Sequence, residues 1–244
     1  MRGAFLALAS LYVIGVVLYV SRWPWVCALA LSAGWAWLFV WSGARRMQIL
    51  KLMLVAAALG TIGEWVCVRK FNLWQYHFPT FRDGLPVWIG LVWGYLYALF
   101  VLMAEPLEEL WRKFGERLRT ILSIVFGVLF FLFLREVFLR IHVGIACYYV
   151  LFLAVGLSIW RTPIDVMTLV VAGLGGTLGE DLAIQNGLWH YTQPAFPSTG
   201  MPVSLPLAWG LAAVYIRNAS LRFWHSTLWL SVGVGMLLVV LKIK

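Results

Sequence analysis

Glu64 and Glu180 close two near-identical pentapeptides, Gly60-Thr61-Ile62-Gly63-Glu64 and Gly176-Thr177-Leu178-Gly179-Glu180, set 116 residues apart within apolar sequence. An ionisable side chain at membrane depth costs on the order of 2.5–3.5 kcal/mol on insertion scales, so a carboxylate kept there is a functional candidate by default. Asp181 comes directly after Glu180, although the matching position in the first copy is Trp65. A carboxylic acid held in a dry cavity can keep its proton and donate it, and an ionised neighbour strengthens that tendency. Glu64 and Glu180 are therefore read as proton donor and partner, with Asp181 assisting. The plainer reading sets them near the interface, or against Arg69, Lys70 or Arg135 as ion pairs.

The segment beyond each acid also recurs. Asn72-Leu73-Trp74-Gln75-Tyr76 returns as Asn186-Gly187-Leu188-Trp189-His190-Tyr191, and Pro79 returns as Pro194. Gly84-Leu85-Pro86-Val87 returns as Gly200-Met201-Pro202-Val203, and Trp93-Gly94 as Trp209-Gly210. Aromatic faces attract cations. Trp74, Trp189, Trp93 and Trp209 around a buried acid would suit protonation of an alkene and storage of the carbocation, which polyene cyclisation or hydration demands. The competing role is packing and interfacial anchoring, which is assigned to Trp23, Trp25, Trp41, Trp111, Trp160 and Trp224. Tyr76, Tyr191, His77 and His190 lie in the matched loops, where they can relay protons or position water. The histidines and acids offer mixed nitrogen and oxygen ligands. However, no HxxxH, HExxH or ExxH spacing occurs on a helix, and no metal is expected. No Walker A loop, Rossmann glycine run, GxSxG elbow or paired CxxC is present, so no nucleotide, flavin or nicotinamide cofactor is expected. The paired glycines allow close helix approach. Asp165, just after Pro163, is explained by the helix dipole. Arg135 and Glu136 are adjacent on one helix and face different ways. His142 and His225 sit at helix starts without counterparts.

The elements that must carry these residues are membrane helices. Hydrophobic residues make up 63% of the 244-residue chain and charged residues 12%, with mean hydropathy +0.88. A soluble domain is nearer half apolar and one quarter charged. A span needs roughly 20 largely apolar residues, about 17 at least. Nine segments are candidates: Ala4–Val20, Pro24–Trp41, Ile49–Val68, Val87–Ala104, Ile121–Leu139, Val143–Ile159, Ile164–Ile184, Val203–Ile216, which is shorter than that minimum, and Phe223–Leu241. The first ends in Tyr19-Val20-Ser21-Arg22-Trp23, a poor cleavage site, and is read as a retained helix. The net charge of +9 belongs with anionic lipid headgroups rather than nucleic acid. Cys27, Cys67 and Cys147 are small core residues without paired or ligand spacing.

The repeat carries the first four spans onto the fifth through eighth. The fold expected is all-α and polytopic: a four-helix repeat (1–104), an amphipathic cytoplasmic linker (105–119) bearing a solvated face of Glu105, Glu108 and Glu109, a second repeat (120–219), and an extra C-terminal span (220–244). Even-numbered units share one orientation, so an axis along the membrane normal relates them. Both motif loops, Arg69–Pro86 and Gln185–Pro202, then leave on one face. The third and seventh spans meet near the axis. Lys and Arg count eleven against eight in favour of a cytoplasmic N-terminus, and a bacterial inner membrane is expected.

The order acid, Gly/Asn-Leu-Trp-x-Tyr, Gly-x-Pro, Trp resembles the integral-membrane carotenoid-biosynthesis proteins, which include hydratases of linear C50 carotenoids. Glu64, Tyr76, Gly84, Pro86 and Trp93 fit that pattern once; Glu180, Tyr191, Gly200, Pro202 and Trp209 fit it again. The second half also looks like a group of uncharacterised bacterial membrane proteins. More distantly, small membrane-integral terpene cyclases use paired helix-borne carboxylates as acids. The resemblance covers two stretches of about 35 residues. It implies an enzyme acting on a polyisoprenoid or related lipid within the bilayer, by acid-initiated hydration, cyclisation or isomerisation. A small-solute transporter or channel with a central carboxylate-lined site is the rival, and a non-catalytic assembly or lipid-binding protein is a third possibility. The partners expected are a lipid or isoprenoid substrate within the bilayer and membrane lipids, with no nucleic acid; the sequence does not say which proteins it meets.

Overall fold

The computed structural model describes residues 2–80, 84–117, 120–121, 162–192, 200–202 and 205–222. The spans expected at 122–139, 143–159 and 223–241 lie outside the described residues. So do Pro194, Val203, Arg135, Glu136, His142, Cys147, Trp160, Trp224 and His225.

Six helices are described: α1 Arg2–Gly15, α2 Pro24–Trp41, α3 Arg46–Trp65, α4 Ile89–Lys113, α5 Pro163–Gln185 and α6 Leu205–Arg222. Wider π-helical turns, Val16–Val20 and Val66–Lys70, extend α1 and α3. Pro24 and Pro163 open α2 and α5, where a fixed φ suits the first turn and the missing N–H has no partner to lose. Among the described residues, five helical stretches are long and apolar enough to cross a membrane: Arg2–Val20, Pro24–Trp41, Gly43–Lys70, Ile89–Lys113 and Pro163–Gln185. The protein is thus a mostly helical chain built for an apolar environment. The α6 helix occupies the region of the eighth expected span and runs on to Arg222, but is not apolar enough to join those five.

Helix α3 packs on α4, and α5 packs on α6; contacts of α4 with α5 and of α3 with α6 close the group, while α1 and α2 pack against α4. The first glycine of each pentapeptide has a visible purpose. A Cβ on Gly60 would fall inside hard contact with the Trp93 ring, and one on Gly176 would do the same to Trp209. Gly63 and Gly179 meet nothing within 4 Å among the described residues. Gly60→Ala should therefore destabilise by about 1–3 kcal/mol through overpacking, whereas Gly63→Ala should be neutral or stabilising by up to about 1 kcal/mol through helix propensity. Thermal unfolding in detergent checks the contrast, and equal midpoints would remove this account of the first glycine.

Where the sequence suggests a surface helix beginning at Glu105, α4 continues unbroken to Lys113, through Pro106. Of the three acids Glu109 is exposed, whereas Glu105 and Glu108 are partly covered. The Glu105 carboxylate accepts from Arg2 and, at 2.9 Å, from Arg45 Nη1, which ties α1 and the α2–α3 turn to α4. Glu108 pairs with Arg112 one turn along the same helix. At the start of α5, Asp165 does more than meet the helix dipole. Its Oδ1 accepts from Arg217 Nη1 at 2.6 Å and Asn218 Nδ2 at 3.0 Å on α6, and its Oδ2 accepts from Thr162 Oγ1.

The departure from an all-helical fold lies in the motif loops. Two three-residue strands, β1 (Trp74–Tyr76) and β2 (Trp189–Tyr191), pair antiparallel with Trp74 opposite Tyr191, Gln75 opposite His190 and Tyr76 opposite Trp189. Backbone bonds extend the ladder at both ends, from His77 N–H to Leu188 O and from Thr192 N–H to Leu73 O, each 2.9 Å. Each strand is entered through a left-handed residue two places before its Trp: Asn72 (φ 47°) and Gly187 (φ 66°). Asn and Gly are the residues that adopt this conformation most readily.

Candidate functional site

The period of two along a strand decides which side chains face the helices. Trp74, Tyr76, Trp189 and Tyr191 lie on the half-buried face of the ladder, and Gln75 and His190 on the exposed face. Across the ladder, Trp74 meets Tyr191 edge-to-face at 5.6 Å and Tyr76 meets Trp189 at 5.7 Å. The four rings form a lid over the loop-side ends of α3 and α5, where the two glutamates sit.

Glu64 is 4% exposed. Its Oε1 accepts from Trp74 Nε1 at 2.9 Å and from the Tyr76 hydroxyl, and its Oε2 accepts from Trp93 Nε1 at 3.1 Å. Glu180, half-buried, has the corresponding trio around it. Trp189 Nε1 donates to its Oε2 at 2.7 Å, and Tyr191 and Trp209 lie within its electrostatic reach. Glu64 thus receives two indole donors and one phenol donor, drawn from its own loop and from the helix beyond it, and the corresponding three residues surround Glu180. All six are neutral groups. Burial, and then the nearby Glu64 carboxylate, push the Tyr76 hydroxyl well above its ordinary range; burial and Glu180 do the same to Tyr191. Both phenols therefore stay protonated and act as donors through neutral and moderately alkaline pH.

The Trp93 and Trp209 rings stack on each other, centroids 4.9 Å apart and 19° from parallel. Their faces are taken up by packing, so these two contribute N–H groups to the carboxylates rather than open aromatic walls. Tyr97, one turn after Trp93, stacks on both at 5.2 and 5.8 Å, and Phe100 meets Trp209 edge-on. Comparison with protein-family models, with curated proteins and with solved structures yields no match for this chain. Function must therefore be read from this geometry.

The structure brings together eight of the eleven residues singled out from sequence: Glu64, Glu180, Trp74, Trp189, Tyr76, Tyr191, Trp93 and Trp209. The other three stand apart. Asp181 Oδ2 accepts from Gln185 Nε2 at 2.8 Å along its own helix. His77 and His190 are exposed and bond to each other, Nε2 to Nδ1 at 2.6 Å, while His77 Nδ1 lies 3.1 Å from Gly187 O. They brace the outside of the ladder. Among the described residues, no three His, Cys, Asp or Glu side chains converge as a metal site. Two features go beyond the sequence reading. One is the ladder itself, signalled by the alternation Trp-Gln-Tyr and Trp-His-Tyr. The other is Tyr97, whose counterpart at the repeat offset is Ala213, so a search by repetition passes over it.

Proposed function

We propose that Glu64 and Glu180 form the acid–base centre of a membrane enzyme that acts on a polyisoprenoid or related lipid by acid-initiated hydration, cyclisation or isomerisation. The observation that carries this reading is a carboxylate held, among the described residues, by neutral donors, with the same residue types around a second carboxylate, inside an aromatic enclosure at the loop end of a span. A general acid must change its charge during turnover. A carboxylate locked to a fixed cation resists that change, whereas one held by indole and phenol donors can exchange a proton with substrate and keep its place. Two such groups within electrostatic reach of each other provide one to give a proton and one to accept it. The half-buried rings of Trp74, Tyr76, Trp189 and Tyr191 cover the centre on its loop side.

The likeness to carotenoid-biosynthesis proteins and to small terpene cyclases supports the substrate class. The duplicated motif supports a four-plus-four arrangement with one further C-terminal span, nine in all. The balance of Lys and Arg supports a cytoplasmic N-terminus in a bacterial inner membrane. The test is mass spectrometry of lipids extracted with the purified protein, wild type against Glu64→Gln and Glu180→Gln. A co-purifying isoprenoid whose mass differs between them by water or by an unsaturation upholds the proposal. The same neutral-donor shell gives a transporter its opening, because a carboxylate pair without a resident cation can accept one. Only ordinary phospholipid in every extract, together with Glu64-dependent cation flux in proteoliposomes, would replace the enzyme by that rival.

A further inference from the structure

The two halves of the centre set the same residue types around each carboxylate but differ in the core beside them. Tyr97 is fully buried, and its ring packs, offset and near-parallel, against both Trp93 and Trp209, the indoles beside Glu64 and Glu180. It lies within electrostatic reach of both carboxylates. At the repeat offset its counterpart on α6 is Ala213, also fully buried. So one phenol, not two, occupies the space between the stacked indoles and the core.

The ring of Tyr97 is accounted for by these stacks. Its hydroxyl is not, because it has no hydrogen-bond partner among the described residues. Burying a hydroxyl without a partner is unfavourable, and Phe would supply the same ring without that cost. Buried polar groups in native proteins are nearly always satisfied by protein, water or ligand. The ring of Tyr97 meets Trp93, Phe100 and Trp209, and the two carboxylates within its electrostatic reach take their described bonds from other donors.

We propose that the Tyr97 hydroxyl is the anchor of a binding position for one hydroxylic ligand oxygen, that of a water molecule or of a lipid alcohol, beside the Glu64/Glu180 pair. This rests on the acid–base reading of the pair and deepens it, because the oxygen so held is the group with which the carboxylates exchange protons. A phenol suits the task, since it donates one hydrogen bond and accepts another. The position also makes the two glutamates inequivalent. In a two-fold arrangement each would otherwise meet substrate in the same way, and a single off-axis anchor settles which gives the proton and which takes it.

The experiment compares wild type, Tyr97→Phe and Glu64→Gln as full-length protein in lipid nanodiscs. It reads thermal unfolding with and without farnesol as the probe alcohol, together with the ratio of converted to unconverted lipid in extracts. Tyr97→Phe keeps the stacked ring and removes only the oxygen. The proposal expects it to unfold no higher than wild type and its conversion ratio to fall at least tenfold. If the oxygen belongs to a lipid alcohol, farnesol raises the midpoint of wild type and not of Tyr97→Phe. If it belongs to water, farnesol shifts neither, and the midpoint and conversion losses remain. A higher midpoint for Tyr97→Phe shows an unliganded hydroxyl and overturns the proposal. Unchanged conversion also overturns it, whatever the midpoint, because a packing role alone leaves the ratio where it was. Failure of the underlying reading has a separate sign: Glu64→Gln then converts lipid as wild type does.

Discussion

Glu64→Gln is expected to end lipid conversion, with a loss on the order of 10²–10⁴-fold, the usual contribution of a positioned general acid or base. The protein should stay folded, and the geometry says why. Glu64 accepts two bonds at Oε1 and one at Oε2. A glutamine can turn its carbonyl oxygen toward Trp74 and Tyr76 and keep both bonds. Its amide N–H₂ then faces the Trp93 N–H, so one bond is lost, for about 1–3 kcal/mol. That leaves a weakened but intact centre with no exchangeable proton. Glu180→Gln should likewise end conversion and stay folded, because a glutamine carbonyl oxygen can keep the bond from Trp189. The double variant should be little worse than either single one, since residues that act as a unit are strongly non-additive. Glu108→Gln serves as the control, as Glu108 pairs with Arg112 on another stretch of chain. Conversion is measured by mass spectrometry of extracted lipid, and folding by size exclusion and thermal unfolding. Full conversion in both single variants would end the acid–base reading. Multiplicative losses in the double variant would mean two independent sites rather than one.

The pairing of the two motifs is legible because it is written twice. Two glutamates, four tryptophans and two tyrosines recur with the same order and nearly the same spacing, and the fold gathers all eight. The histidines recur less faithfully. His77 comes after Tyr76, whereas His190 precedes Tyr191. A shift of one place in a strand changes the face on which a side chain stands. In the ladder both histidines come out on the exposed side, away from the carboxylates. Adjacency in sequence to the tyrosines suggests a proton relay; the two-residue period sends them elsewhere. Asp181 fails for the helical version of the same reason, since the residue after Glu180 is turned about 100° around α5.

The ladder is hidden by its length. Three residues between helices give too short a run for an alternating pattern to outweigh a loop. It becomes recognisable only when each strand is seen against the other. The charged end of α4 misleads for a different cause. Glu105-Pro106-Leu107-Glu108-Glu109 combines acids with a proline, which marks a boundary in most sequences. Two arginines distant in sequence, Arg2 and Arg45, meet Glu105 and offset its burial. Long-range ion pairs of this kind have no local signature. Of the nine expected spans, five are matched by described helices apolar enough to cross a membrane.

The other large effect is expected at Asp165. It is 1% exposed, and Arg217 is mostly covered as well. Asp165→Ala removes the acceptor for Arg217, Asn218 and Thr162 at once. Removing one partner of a buried pair leaves an uncompensated charge and typically costs about 3–5 kcal/mol. Asp165→Asn keeps an acceptor for the neutral donors and should cost less, roughly 1–3 kcal/mol. Removing both partners, as in Asp165→Ala with Arg217→Leu, should recover part of the loss, because the stranded guanidinium is then gone. The sum of the single effects should exceed the double effect, which identifies coupling between them. Thermal or denaturant unfolding in detergent supplies the numbers, and additive losses would mean that the ion pair contributes nothing specific. Asp165 lies fifteen residues before Glu180 on one helix, roughly 22 Å away along its axis. Conversion per folded molecule should therefore stay near wild type in Asp165→Asn. The same helix thus carries an anchor at one end and a reactive carboxylate at the other. The anchor joins α5 to α6, the helix that brings Trp209 to Glu180, and holds the reactive end in register through the helices rather than through the chemistry.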